Sequence, residues 1–268
     1  MSGLSVERRP DDTAGVRARL AEYYTRYYRD TLGIPGWRDL VALRVEDEAY
    51  EGRRLARLER LLERPVRGLS LLNIGCGPGG FDAVARQAGA ATWGVDASAE
   101  AVAIAAARVP GGRFVCGDAG SLPFRAGSFG LVYCYSTLEH VADYRRVLRE
   151  IVRVLRPGGL LYLHAPNRWA WFEGHYKLVW LPGLPRWLAR LYLASRSRPT
   201  AFLDSLRPPT LRGCRRSLEA AGARIARVSN EDADRPHGGA LWPLLRLYYR
   251  LLGVHPSIEL VAVFGGRQ

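Results

Sequence analysis

Lysine is nearly missing from this chain. Lys177 stands alone among 39 basic residues, so the formal charge of +13 is almost wholly arginine. Such an excess is compatible with a compositional bias of the genome as much as with a task, and the arginines are dispersed, not gathered in a block. A solvated basic surface accounts for that distribution, although an anionic partner stays open. Cysteine is scarce too: Cys76, Cys116, Cys134 and Cys214 show no C-x-x-C spacing, so neither a zinc knuckle nor a disulfide framework is indicated. They read as reduced, small apolar residues. No apolar run reaches the roughly 18 residues needed to cross a bilayer, and Met1 to Asp12 lacks the apolar centre of a signal peptide. A cytoplasmic location is the expectation. No internal repeat or low-complexity tract is present. What remains, with 48% hydrophobic and 24% charged residues, fits one α/β domain with appendages.

The stretch Leu69 to Phe81 organises the chain. Leu69 to Ile74 reads as a buried parallel strand, and it breaks into Gly75, Gly77, Gly79 and Gly80 where a helix should begin. Glycines there let a ligand approach main-chain N–H groups beside a helix N-terminus, the layout of a nucleotide-type cofactor loop. Gly75, Gly77 and Gly80 also satisfy the G-x-G-x-x-G pattern of dinucleotide-binding proteins, and plain turns use glycine as well.

Strands at Ala91–Val95, Arg113–Cys116, Phe129–Cys134 and Leu160–His164 alternate with helices at Phe81–Gly89, Ser98–Val109 and Asp143–Leu155, and residues 156–159 read as a turn. That alternation predicts a doubly wound parallel sheet with its ligands at the carboxyl ends of the strands. Residues 1–66 form a helical N-terminal cap in this reading, with Tyr23, Tyr24, Tyr27 and Tyr28 on one side of a helix over residues 13–30 and a second helix over Glu46–Glu63. Residues 67–268 form the main domain, and the aromatic-rich segment 165–205 within it reads as a lid insertion. After the lid come a helix at Thr210–Ala221, a strand at Arg224–Val228, a helix at Ala240–Leu252 and a strand at Ile258–Phe264.

Two carboxylates fall at strand ends in register with the glycine loop. Asp96 closes the second strand, where it can accept from both ribose hydroxyls, and Asp118 closes the third, where it can accept from an exocyclic amine. With these in place the sequence resembles the class I S-adenosylmethionine-dependent methyltransferases, in particular the small-molecule branch that includes ubiquinone-biosynthesis O-methyltransferases. The resemblance rests on Asn-Ile-Gly-Cys-Gly-Pro-Gly (73–79), Gly-Val-Asp (94–96), Gly-Asp-Ala-Gly-Ser-Leu-Pro-Phe (117–124), Ser-Phe-Gly-Leu-Val-Tyr-Cys (128–134), Leu-Glu-His-Val (138–141) and Leu-Arg-Pro-Gly-Gly (155–159). It implies a Rossmann-like sheet of seven strands with the last reversed, and S-adenosylmethionine as cofactor. The cofactor residues it implies are Asn73, Gly75, Cys76, Gly77, Gly79, Asp96, Ala97, Asp118, Ala119 and Cys134.

Two positions depart from the family pattern. Asn73 stands where an acidic residue is usual, so it brings no charge toward the cofactor ammonium. Ser136 stands where some quinone methyltransferases carry a glutamate, which leaves Glu139 and His140 as two of a potential metal set and makes no metal site the expectation. Methyl transfer to a hydroxyl needs alignment and a proton acceptor, for which His140, His164 and His175 are the candidates.

The expected activity is methyl transfer to a small or lipid-linked acceptor, at oxygen. A nicotinamide-dependent oxidoreductase is permitted by Gly75, Gly77, Gly80 and Asp96 but leaves Asp118 and Leu-Arg-Pro-Gly-Gly unexplained. An RNA methyltransferase stays open on charge alone, whereas the motifs of amino-directed and cytosine-5 DNA enzymes are missing. Two segments, 184–194 and 241–252, place arginines four apart (Arg186 and Arg190, Arg246 and Arg250) amid apolar residues, which predicts helices able to lie in a membrane interface at its inner face. Burial of those faces as ordinary core is the competing expectation.

Overall fold

A computed structural model describes residues 13–229 and 242–265, the side chain of Trp242 excepted. The main sheet takes β1 (Ser70–Ile74), β2 (Ala91–Asp96), β3 (Arg113–Cys116), β4 (Phe129–Tyr135), β5 (Leu155–Pro166), β8 (Ala223–Val228) and β9 (Ser257–Phe264), while β6 (Phe172–Glu173) and β7 (Leu178–Val179) pair as a separate hairpin. Its order is β3-β2-β1-β4-β5-β9-β8. The first five strands in that order are parallel, and β9 runs antiparallel to both β5 and β8. This is the expected seven-stranded sheet with a reversed last strand. Its strand order changes direction between β1 and β4, and a cleft opens at their carboxyl ends.

The helices are α1 (Thr13–Thr25), α2 (Trp37–Val45), α3 (Glu48–Leu62), α4 (Gly80–Gln87), α5 (Ala99–Arg108), α6 (Tyr144–Val154), α7 (Arg186–Ser195), α8 (Leu211–Ala220) and α9 (Trp242–Leu252). Three of them, α5, α6 and α8, start at a side-chain cap. Ser98 Oγ accepts from Ala101 N at 3.2 Å, Asp143 Oδ1 from Arg145 N at 2.9 Å and Thr210 Oγ1 from Gly213 N at 3.1 Å. On α6 the apolar residues Val147, Leu148, Ile151, Val152 and Val154 recur at helical spacing and are buried against the sheet. Leu71, Leu72 and Ile74 of β1 are fully buried, because helices cover both faces of a parallel sheet.

Three expectations need correction. The expected turn at residues 156–159 lies inside β5: Phe129 pairs with Leu155 and Leu131 with Leu160, so these residues loop out as an irregularity in a continuous strand. The first helix leaves α geometry after Thr25 and continues as a π-helical turn over Arg26–Thr31. Between the two expected cap helices, Trp37–Val45 adds α2, a helix that the sequence reading did not assign.

Cap and lid pack against each other. Tyr28, Leu32, Ile34 and Val41 from the cap share one core with Tyr176, Ala189, Leu193 and Leu203 from the lid and with Leu206 just after it. Arg186 and Arg190 of α7 both bind the Asp204 carboxylate, and Arg186 also donates to the carbonyls of Leu203 and Leu206. That half of the expected cationic stripe is therefore engaged within the lid. The apolar side of α7 stays open at Trp187 and Leu191, each 62% exposed, and α9 presents Leu244, Leu247, Leu251 and Leu252. Ala240 and Leu241, counted in the sequence reading of α9, lie outside the described residues. No helix among the described residues is long and apolar enough to cross a membrane.

Candidate active site

The loop between β1 and α4 builds one wall of the cleft. Gly75, Gly77 and Gly79 hold φ of +72°, +51° and +78°, the left-handed region that side chains rarely adopt. At Gly75 a Cβ would lie 2.1 Å from Thr137 Oγ1, so the loop and the end of β4 touch there. At Gly77 a Cβ would meet nothing within 4 Å: it would project into open space along the loop. Asp96 steadies this turn, its Oδ2 accepting from Gly77 N at 2.8 Å and its Oδ1 from Ser98 N at 2.9 Å. Asp118 Oδ1 accepts from Gly120 N at 2.8 Å. Behind the loop, Asn73 Nδ2 donates to Asp82 Oδ2 at 2.6 Å, and burial pushes the Asp82 carboxyl up to about 7.

The cleft has a volume of about 750 Å³ and runs from Gly75, Cys76 and Gly77 to the histidines. The four cap tyrosines, Tyr23, Tyr24, Tyr27 and Tyr28, form its roof, with Phe172 and Phe202 of the lid. Tyr23 sits close enough to Asp96 that burial and that charge together raise its phenol to about 12. Arg54 reaches in from α3 and lies 3.7 Å over the Tyr135 ring, which stacks at 4.1 Å on His164. Glu51 binds both Arg54 and Arg44, so the cap brings its own paired charges to the cofactor loop.

At the end of β4 the chain turns sharply through Ser136, whose φ of +49° is unusual for a side chain with a Cβ. A short 3-10 turn, Leu138–His140, follows. It leaves Glu139 fully buried with neither carboxylate oxygen hydrogen-bonded, and burial raises its carboxyl to about 7. His140 is 32% exposed, and burial holds its imidazole down at about 4. His175 comes from the β6–β7 hairpin, and its Nδ1 lies 2.7 Å from Glu173 Oε1. Burial works against a charge on His175, but the hydrogen bond and charge of Glu173, helped by Glu139, raise it above its ordinary value. The two rings meet edge to face with centroids 5.0 Å apart, and Phe202 covers both.

Residues 72–163 match the methyltransferase domain family. The chain carries a methyltransferase domain. An S-adenosylmethionine-dependent methyltransferase from Mesorhizobium loti superposes with a TM-score of 0.55 at 21% identity, over 77% of this chain and 96% of that one, a likeness of fold. An uncharacterised methyltransferase of Synechocystis sp. is 37% identical over 42% of this chain and 54% of that protein. A ubiquinone biosynthesis O-methyltransferase of Parvibaculum lavamentivorans is 32% identical over 44% of this chain and 51% of that protein. The chain thus spans about half the length of the curated relatives it matches.

The cofactor of such a domain is S-adenosylmethionine, and the residues present fit it. The loop is open at Gly77, Gly75, Cys76 and Gly77 line the cleft, and the Asp96 carboxylate, each oxygen accepting one backbone N–H, keeps further lone pairs for hydroxyls. Of the positions implied by sequence, Asn73, Gly75, Cys76 and Gly77 line the cleft, Gly79 closes the turn, and Asp96, Ala97 and Asp118 continue along the strand ends. Ala119 is buried in the sheet core, and Cys134 has no exposed surface at all. The Cys134 side chain is core packing, because at the end of β4 it points away from the cleft that its neighbour Tyr135 lines. All three candidate histidines, His140, His164 and His175, do line it. Sequence reasoning missed Glu51, Arg54 and Glu173. The two cap residues carry no motif and look like an ordinary helical charge pair, and Glu173 gains its role only by folding of the hairpin.

Proposed function

We propose that the chain methylates a small or lipid-linked acceptor at oxygen, with an aromatic hydroxyl the best fit. The observation that carries this reading is that one cleft joins the glycine loop to the Glu139, His140 and His175 cluster under a roof of aromatic rings. When bound, S-adenosylmethionine supplies an electrophilic methyl group. The tyrosine roof and Phe202 exclude water and hold a flat acceptor against the floor. Arg54 and Tyr135 fix the inner wall. The acceptor proton is received at the histidine cluster, where Glu173 holds Nδ1 of His175 so that Nε2 faces the cleft. The relative named a ubiquinone biosynthesis O-methyltransferase supports oxygen as the target.

The open apolar sides of α7 and α9, on a chain of formal charge +13, support delivery of the acceptor from an anionic membrane surface. A screen that follows S-adenosylhomocysteine release across phenols, sugars and lipid-linked phenols tests the reading. Turnover with phenols is expected. Turnover confined to amines or nucleic acid contradicts it.

A further inference from the structure

Three donors converge where the sequence left two. Both oxygens of Glu139 lack a hydrogen-bond partner although the side chain is fully buried, an arrangement that folded proteins avoid unless something else satisfies the carboxylate. From Glu139 Oε1, His175 Nε2 lies at 3.8 Å and His140 Nε2 at 3.9 Å. These separations are too long for hydrogen bonds. Donor atoms of the three side chains all lie within 4.8 Å of one another. Glu173 occupies the other ring nitrogen of His175, which fixes the tautomer with a lone pair on Nε2, as ligating imidazoles are commonly fixed.

We propose that Glu139, His140 and His175 bind a divalent transition-metal cation, with Glu173 as the positioning residue for His175. Two imidazoles and one carboxylate suit zinc, cobalt, iron or manganese, whereas magnesium and calcium favour oxygen donors. Metal–ligand bonds of about 2.0 to 2.2 Å bring neighbouring donors closer than the separations found here, so the cation draws the site together. Glu139 and His140 follow a strand of the sheet and His175 belongs to the lid hairpin, so closure ties the lid to the sheet. The inference deepens the reading above, on which its consequence for catalysis rests: a cation held there would lower the pKa of an acceptor hydroxyl enough for its proton to pass to solvent water, and His140 and His175 would then act as ligands in place of bases.

The test uses the full chain stripped with a chelator and titrated with Zn²⁺ alone, with Co²⁺ absorption reporting the ligand set. Cys116→Ser serves as the background, since Cys116 is the exposed thiol. One Zn²⁺ per chain is expected, bound at least tenfold more weakly in Glu139→Gln and His175→Gln. Glu173→Gln keeps all three ligands and should weaken binding roughly 10- to 100-fold. Thermal melting and S-adenosylmethionine binding confirm that each variant is folded. Zn²⁺ affinity equal in the parent and in folded Glu139→Gln overturns the proposal, as does a parent that prefers Mg²⁺. A parent that binds S-adenosylmethionine and methylates phenols but takes no Zn²⁺ overturns this inference alone. One that binds Zn²⁺ through these residues but methylates no hydroxyl overturns the proposed function and leaves the site standing.

Discussion

Gly75 and Gly77 are two residues apart in one loop, yet the structure gives them different tasks. Gly75→Ala forces a Cβ onto Thr137 at a left-handed φ, so it should lower the melting temperature, and Thr137→Ala should restore part of the loss. Gly77→Ala has open space for its methyl group and carries only the strain of its left-handed φ, so it should cost about 1 to 2 kcal/mol of stability, less than Gly75→Ala, while weakening cofactor binding. Equal melting temperatures for the two variants would contradict this division. Asp82 carries a pH signature. Its folded carboxyl titrates at about 7 against an ordinary value of 3.8, so the folded state holds a proton that the unfolded state releases earlier. Stability therefore falls as pH rises from about 4 to about 7, by an amount of order a few kcal/mol, and Asp82→Asn should flatten that slope. Chemical denaturation across this range, with parallel slopes for parent and variant, would show the carboxyl to be ordinary. The sequence made Asn73 look like a lost charge. It could not show that a carboxyl from the first turn of α4 stands directly behind the amide, because that contact depends on the angle at which the helix leaves the loop.

The strands and the helices between them were readable, since each is a short apolar run or a one-sided stripe closed by a recognisable cap or glycine. Ser98 and Asp143 mark α5 and α6 in sequence and cap them in structure. Cap and lid were readable only as composition. Their packing into a common core pairs residues well over a hundred positions apart, and no local periodicity encodes such a partner. A prediction follows from that shared core. Leu193, fully buried in α7, should cost about 2 to 5 kcal/mol when changed to Ala, and the loosening should reach α1 and α2. Hydrogen exchange that speeds up in both the cap and the lid, with β1 and β4 still protected, is the expected result. Faster exchange in α7 alone would mean that the two elements fold independently. The same long-range folding explains why His175 stood in sequence as one of three candidate bases with no link to Glu139, whereas Glu173, two residues away, meets it through the local turn of the hairpin.

Across the whole molecule, a parallel sheet places the glycine loop and a histidine cluster around one cleft, the cap closes it with tyrosines, and two carboxylates stand at the neighbouring strand ends outside its lining. The exposed leucines of α9 and Trp187 of α7 lie apart from that machinery. Co-sedimentation with anionic liposomes should detect them: binding is expected to weaken more with Leu247→Ser and Leu251→Ser than with Arg186→Gln, because Arg186 is already held by Asp204. A parent protein left in the supernatant at low salt would contradict the membrane contact. The central claim is the cofactor site itself, and calorimetric titration of the full chain with S-adenosylmethionine, beside Asp96→Ala, tests it most directly. Saturable binding is predicted, weakened in Asp96→Ala by about 1.5 to 3 kcal/mol, the worth of hydrogen bonds to a charged group. An Asp96→Ala protein that binds S-adenosylmethionine as tightly as its parent, or a parent that does not bind it, would contradict the account.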